Sequence, residues 1–227
     1  MNKHKSLNPN IKNNDKLVNT EAKIPSIDYP KSTLIILDWD DTLFPTSWVV
    51  KNNINLVDAR NRWKYIPLFI ELDKMLYNLI QKLKKYGKVI IITNAMPNWI
   101  NDSVSVLPKT AQIISSVKIL SARQLFQSQF NDMMEWKKHT FKKAINKDMN
   151  NNKILNIISI GDAEYEYKAL IDLYNWNNKN KKILKSIKLI HNPTYNILMD
   201  QLGVLYNAIP DICTYNNHID WNFKLGN

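Results

Sequence analysis

Thr33-Leu-Ile-Ile-Leu-Asp-Trp-Asp-Asp-Thr42 is the stretch from which the rest of the chain can be read. Residues 33–37 are apolar or β-branched without interruption, which suits a strand buried on both faces. Three acids then arrive together, where such a strand should leave the core. Asp38 and Asp40 stand two apart, so an extended backbone carries both side chains to one face, roughly 6–7 Å apart. Trp39 lies between them and points the other way, toward packing.

Outward from this stretch, strands and helices alternate. Lys88–Thr93, Val117–Ser121, Leu155–Ile160 and Ser186–Ile190 read as further strands. Pro67 opens a helix with an apolar stripe at Leu68, Leu72, Met75, Leu76, Leu79, Ile80 and Leu83, and Gly87 reads as its stop. Helices are expected over Pro97 to about Val106, Trp136–Ile145, Tyr165–Tyr174 and Pro193–Tyr206. Residues 150–153 and 177–182 read as polar loops, and the aromatic stretch 44–66 as a flap or short hairpin. This alternation predicts an α/β fold, a Rossmann-like parallel sheet of about five strands with helices on both faces.

Residues 1–30 are Asn- and Lys-rich and read as a disordered basic tail, leaving 31–227 as one domain. Hydrophobic residues at 44% suffice for a packed core. The lone Cys213 forms no intrachain disulfide, no apolar run reaches membrane-span length, and the N-terminus lacks a signal-like apolar block. An intracellular, cytoplasmic protein without a membrane partner is expected. A net charge of +11 suits a polyanion such as nucleic acid, or reflects a general bias toward Asn, Lys and Ile.

Ligands bind at the carboxyl ends of strands in such sheets, and there the polar residues collect. Asp38 and Asp40 follow the first strand, Thr93 the second and Asp162 the fourth. Converging carboxylates repel unless a cation joins them. An oxygen-only set without a Cys or His cluster suits a hard ion such as Mg2+. His139 and His191 lack partner spacing and read as structural. Arg123 suits a substrate contact or an ion pair equally. Trp48 and Trp63 read as packing within the flap rather than stacking on substrate.

Four segments, in order, resemble the motifs of the haloacid-dehalogenase (HAD-like) superfamily. They are Leu37-Asp-Trp-Asp-Asp-Thr42, Ile90-Ile-Ile-Thr-Asn94, Glu135-Trp-Lys137 and Ile160-Gly-Asp-Ala-Glu-Tyr-Glu166. Thr93-Asn-Ala95, Leu120-Ser-Ala-Arg123 and His191-Asn-Pro-Thr194 further resemble a group of uncharacterised eukaryotic members with minimal or no cap. The resemblance implies a Mg2+-dependent phosphatase acting through an aspartyl phosphate. It implies Asp38 as nucleophile and Asp40 as general acid and base. Asp38, Asp162 and the Asp40 carbonyl would hold the metal. Thr93, Asn94 and Lys137 would bind the phosphate, with Thr42 and Glu166 in support. Lys138 competes with Lys137 for its role, and Glu164 with Glu166. An open site implies an exposed phosphate on protein or nucleic acid. A small metabolite, or a catalytically silent binding module of the same fold, are the alternatives.

Overall fold

A computed structural model describes residues 10–12, 29–149, 154–176 and 182–225. Seven strands form one sheet in the order β1-β7-β6-β5-β2-β3-β4. The strands are β1 (Asn10–Lys12), β2 (Thr33–Leu37), β3 (Lys88–Thr93), β4 (Lys118–Ser121), β5 (Asn156–Gly161), β6 (Ile183–Lys188) and β7 (Ile219–Asn222). β2 through β7 run parallel, and only β1 is antiparallel, against β7. The parallel, Rossmann-like α/β reading therefore holds, with six parallel strands rather than about five.

The alternation of side chains along the strands divides the core in two. Ile35, Leu37, Val89, Ile91, Ile158 and Ile160 face one layer, packed by α4 (Ile66–Lys84) and α10 (Tyr195–Thr214). Leu34, Ile36, Ile90, Ile92 and Ile157 face the other, packed by α8 (Met133–Met149) and α9 (Glu164–Trp176). From β2 the chain steps outward to β3 and β4, then returns to β5 on the opposite side of β2. The crevice of such a sheet opens where the direction reverses, here between the carboxyl ends of β2 and β5.

Several elements depart from the sequence reading. The stretch 44–66 contains no hairpin. It holds α2 (Thr46–Lys51), α3 (Ala59–Arg62) and a 3-10 turn at Trp63–Tyr65, with α1 (Tyr29–Ser32) before β2. Asp58 caps α3 through the Arg60 N–H at 2.9 Å, and loop carbonyls and amides close the excursion locally. The helix expected to reach Val106 ends as α5 (Pro97–Val104), and an unforeseen α6 (Pro108–Ile114) follows. Its amides at Lys109 and Thr110 are capped by Asp73 of α4 at 2.9 and 2.7 Å. A cap supplied from 36 residues away leaves no local sequence signal.

β6 begins at Ile183, three residues before the expected Ser186, because Lys182 and Lys185 are buried. Their ammonium groups cap the carbonyls of Ile154 and of Ile212 and Cys213, and burial lowers the Lys185 pKa to about 8. β7 was not foreseen, and α10 runs on through Pro210 to Thr214. Gly87 is not a left-handed stop, since no glycine among the described residues has positive φ. It is required because a Cβ there would lie 2.6 Å from the Thr33 carbonyl oxygen. Within the expected disordered tail, Asn10–Lys12 pair with the edge of β7. The remainder of 1–28, the loop 150–153 and residues 177–181 lie outside the described residues. Among the described residues no helix is long and apolar enough to cross a membrane.

Candidate active site

The ladder carries Asp38 one step past β2, where its N–H donates to the Ile160 carbonyl at 2.9 Å. That bond sets Asp38 beside the end of β5, where Gly161 and Asp162 follow. Both carboxylates are buried, 7% and 5% exposed. Lys137 reaches them from the start of α8, a helix whose first turn is capped by Asp132 through the Met134 N–H at 2.9 Å. Its ammonium donates to Asp38 Oδ1 at 2.7 Å, Glu166 Oε1 at 2.6 Å and the Ile92 carbonyl at 2.8 Å. Three protons thus meet three acceptors. Burial opposes the Lys137 charge, but Asp38 and Glu166 outweigh it and hold the pKa above the ordinary lysine range.

Of the two lysines, Lys137 meets the carboxylates and Lys138 turns outward to Glu135 at 2.6 Å. Glu164 likewise turns to Lys188, whereas Glu166 is buried on Lys137. Glu166 Oε2 also accepts from the Ala163 N–H at 3.2 Å, the backward half of a capping box. Gly161 makes room for it, because a Cβ there would lie 2.3 Å from Glu166 Cγ.

Asp162 is the strained member of the group. Burial, followed by the charges of Asp38, Glu166 and Asp41, pushes its pKa up to about 8, with Lys137 opposing. Its Oδ2 contacts His191 Nδ1 at 2.7 Å, and Thr42 Oγ1 approaches Oδ1 at 3.5 Å. Oxygens of Asp38, Asp162 and Glu166 lie within 4.8 Å of one another. Glu166 is held by Lys137 and the Ala163 N–H, Asp38 by Lys137 and Asp162 by His191, and these three carboxylates are the oxygen donors that a cation could share. An all-oxygen set of carboxylates fits a hard divalent ion, whose charge would offset the burial and repulsion that raise the Asp162 pKa.

Asp40 stands apart from that set. Its Oδ1 accepts from Thr46 Oγ1 at 2.5 Å and from Trp99 Nε1 at 2.8 Å. Burial raises its pKa, the two hydrogen bonds opposing and the Asp38 charge adding to the rise. Thr93 is fully buried, and its Oγ1 accepts the Ala95 N–H at 3.0 Å, which leaves its own proton to donate. Asn94 directs its NH2 to the Met133 carbonyl at 3.5 Å, and its buried Oδ1 has no partner among the described residues.

The loop after Asp38 is held in shape by Asp41, at φ 52°. Asp41 accepts from the Ser47 N–H at 2.8 Å and from the Ser47 hydroxyl. Ser47 also meets Asn192 Oδ1 at 2.9 Å, and Asn192 has φ 50°. Left-handed backbone is costly for residues other than glycine, and Asn and Asp tolerate it best. A cavity of about 430 Å3 borders this network, lined in part by Thr46, Ser47, Trp48, Lys51, Asn192 and Thr194.

The sequence reading missed three participants. His191 was taken as structural, yet it bonds Asp162. Its one sequence signal is that it follows a strand at the same sheet edge. Thr46 and Trp99 hold Asp40 from α2 and α5, and neither carries a local signal. Trp39 and His139 make the packing contacts read for them, and Trp48 packs while also lining the cavity. Trp39 is buried against Phe44 and donates to Ser103 Oγ at 2.9 Å. Trp48 packs on Tyr65, Phe69 and Tyr195, and His139 stacks on Phe130. Trp63 does not pack within the excursion but is 68% exposed. Arg123 donates to Gln127 Oε1 at 3.2 Å. Comparison with family models, curated proteins and solved structures finds no match for this chain.

Proposed function

We propose that this chain is a Mg2+-dependent phosphatase of the haloacid-dehalogenase type, acting through an aspartyl phosphate on Asp38. The observation that carries the reading is the buried Lys137 ammonium clamped between Asp38 and Glu166, with Asp162 opposite at a raised pKa. A mere structural ion pair needs no third acid beside it. When bound by Asp38, Asp162 and the Asp40 carbonyl, Mg2+ would offset the repulsion between the carboxylate and a phosphate dianion.

Lys137 occupies Asp38 Oδ1 and so leaves attack to Oδ2. That oxygen bonds to phosphorus as the bond from phosphorus to the leaving oxygen breaks. Asp40, whose carboxyl pKa burial raises, gives its proton to the leaving oxygen. The resulting Asp40 carboxylate then takes a proton from water as that water attacks phosphorus. Cleavage of the acyl phosphate returns Asp38 and frees inorganic phosphate. The Thr93 hydroxyl donates to a phosphoryl oxygen. Lys137 spends its protons within the protein and acts here by orienting Asp38.

The cavity favours one substrate class. Thr46 both lines it and bonds Asp40, the proposed proton donor to the leaving group. About 430 Å3 falls within the range of small-ligand pockets. A small phosphate ester is thereby preferred over the exposed phosphate of a macromolecule. The test is a phosphate-release screen over metabolites, phosphopeptides and end-phosphorylated oligonucleotides, with and without Mg2+. Release is expected from small esters, only with Mg2+, and at background in a folded Asp38→Asn protein. Substantial turnover by Asp38→Asn would refute the mechanism.

A further inference from the structure

Helix α4 buries Phe69, Leu72, Leu76, Leu79 and Leu83 and exposes Glu71, Lys74, Asn78, Gln81 and Lys84, the polar outer face expected of it, except at its first turn and the 3-10 turn before it. Trp63, Ile66 and Ile70 are 68%, 44% and 65% exposed. Spacings of three across the 3-10 turn and four along α4 place them on one line. Arg60 precedes Trp63 by three residues and Lys74 follows Ile70 by four, and both are exposed. The apolar line thus begins and ends on a cation. Lys51 and Lys64 are exposed nearby in sequence. Val50 and Val57 add exposed apolar surface at 66% and 69%. Five of the nine exposed large hydrophobic residues among the described residues therefore fall between positions 50 and 70. The line of Trp63, Ile66 and Ile70 within that stretch suits an interaction surface. Asp58, which caps α3, and Glu71, which accepts from the Tyr195 hydroxyl, add negative charge that the exposed Lys51, Arg60, Lys64 and Lys74 outnumber.

We infer that this ridge is a peripheral docking surface for an anionic lipid bilayer. Cations at both ends of an apolar line complement anionic headgroups above an acyl layer. Long Arg and Lys stems let the charges rise to the phosphate level while the apolar side chains sink. Trp63 suits the boundary between the two. Branched Ile and Val chains offer nothing to a base edge or phosphate backbone, which favours lipid over nucleic acid. The ridge is the outward face of a helix, and a bilayer requires no matching groove. The sequence expectation of no membrane partner rested on the lack of a spanning segment, a different mode of association. Val50 and Lys51 also line the cavity that borders Thr46. The inference itself does not depend on the phosphatase reading.

The test is vesicle flotation with the full chain, using phosphatidylcholine alone and phosphatidylcholine containing a quarter phosphatidylserine. Binding is expected only to the anionic vesicles. The double variant Trp63→Glu/Ile70→Glu should retain its melting temperature, because both side chains are exposed. Its bound fraction should fall at least about tenfold. Arg60→Gln/Lys74→Gln should weaken binding about fivefold per charge. Three results would overturn the inference. One is no binding of the wild type to anionic vesicles. Another is undiminished binding of the double Glu variant, which would assign association to overall basicity. The third is loss of a self-associated state in that variant without any vesicle binding, which would assign the ridge to a second copy.

Discussion

At the scale of single residues, the site is governed by one cation shared among too many carboxylates. Asp162 shows the consequence. Its ordinary carboxyl pKa of 3.8 rises to about 8 in the folded chain. Below pH 3.8 both folded and unfolded chains hold the proton; between there and about 8 only the folded chain does. Stability contributed by that proton is therefore complete at low pH and lost as pH rises through about 8. In chelator, the melting temperature should fall between about pH 6 and pH 8. Asp162→Asn should flatten that slope and melt higher at the upper end. Added Mg2+ should stabilise the wild type and not the variant. An unchanged slope in Asp162→Asn would show that another group carries the effect. Lys137→Met leaves Asp38 and Glu166 buried without their shared cation. Loss of one partner of a buried pair costs about 3–5 kcal/mol, which urea denaturation should report. A loss well below 1 kcal/mol would mean that the clamp is not formed.

At the scale of elements, chemistry depends on how closely β5 and α9 meet. Gly161 ends β5, and Glu166 folds back over it to reach Lys137 and the Ala163 amide. Gly161→Ala would place a methyl 2.3 Å from Glu166 Cγ. The overpacking should cost about 1–3 kcal/mol. If the proposed function holds, displacing Glu166 should also lower phosphate release, because Lys137 loses one anchor. A variant with wild-type stability and turnover would show that α9 adjusts freely. The same scale explains what was legible. β2, β3 and β5 are central strands whose unbroken apolar runs declare themselves. β7 and α6 do not. β7 is an alternating Ile-Asp-Trp-Asn segment ordered by its pairing with β6, and α6 by the Asp73 cap from α4.

At the scale of the molecule, the charge of +11 is partly spent on partners among the described lysines near the candidate site. Lys137 is spent inside the site, Lys138 pairs with Glu135 and Lys142 with Asp172 at 2.7 Å. Lys143 lies over the Phe126 ring. Oligonucleotide affinity should therefore be weak, with a shallow salt dependence corresponding to fewer than about two neutralised phosphates. Titration across a salt series measures this directly. A steep slope that Lys143→Gln/Arg123→Gln reduces would reinstate nucleic acid as a partner.

What the sequence determined by itself was the parallel sheet and the acids at its edge. An apolar run of strand length can be buried only with its polar ends outside, and Asp38, Thr93 and Asp162 stand at such ends. Only the tertiary structure decided which lysine enters the site, which glutamate receives it, and that His191, Thr46 and Trp99 attend the carboxylates. Those assignments follow from the approach of α2, α5, α8 and the β6 end to one crevice. The sequence spacing is similar for Lys137 and Lys138, and helical phase alone turns one ammonium inward and the other to solvent. The exposure of Trp63, Ile66 and Ile70 was hidden for the complementary reason. Apolar residues beside a core helix read as core until the position of the sheet shows which side of the helix is covered.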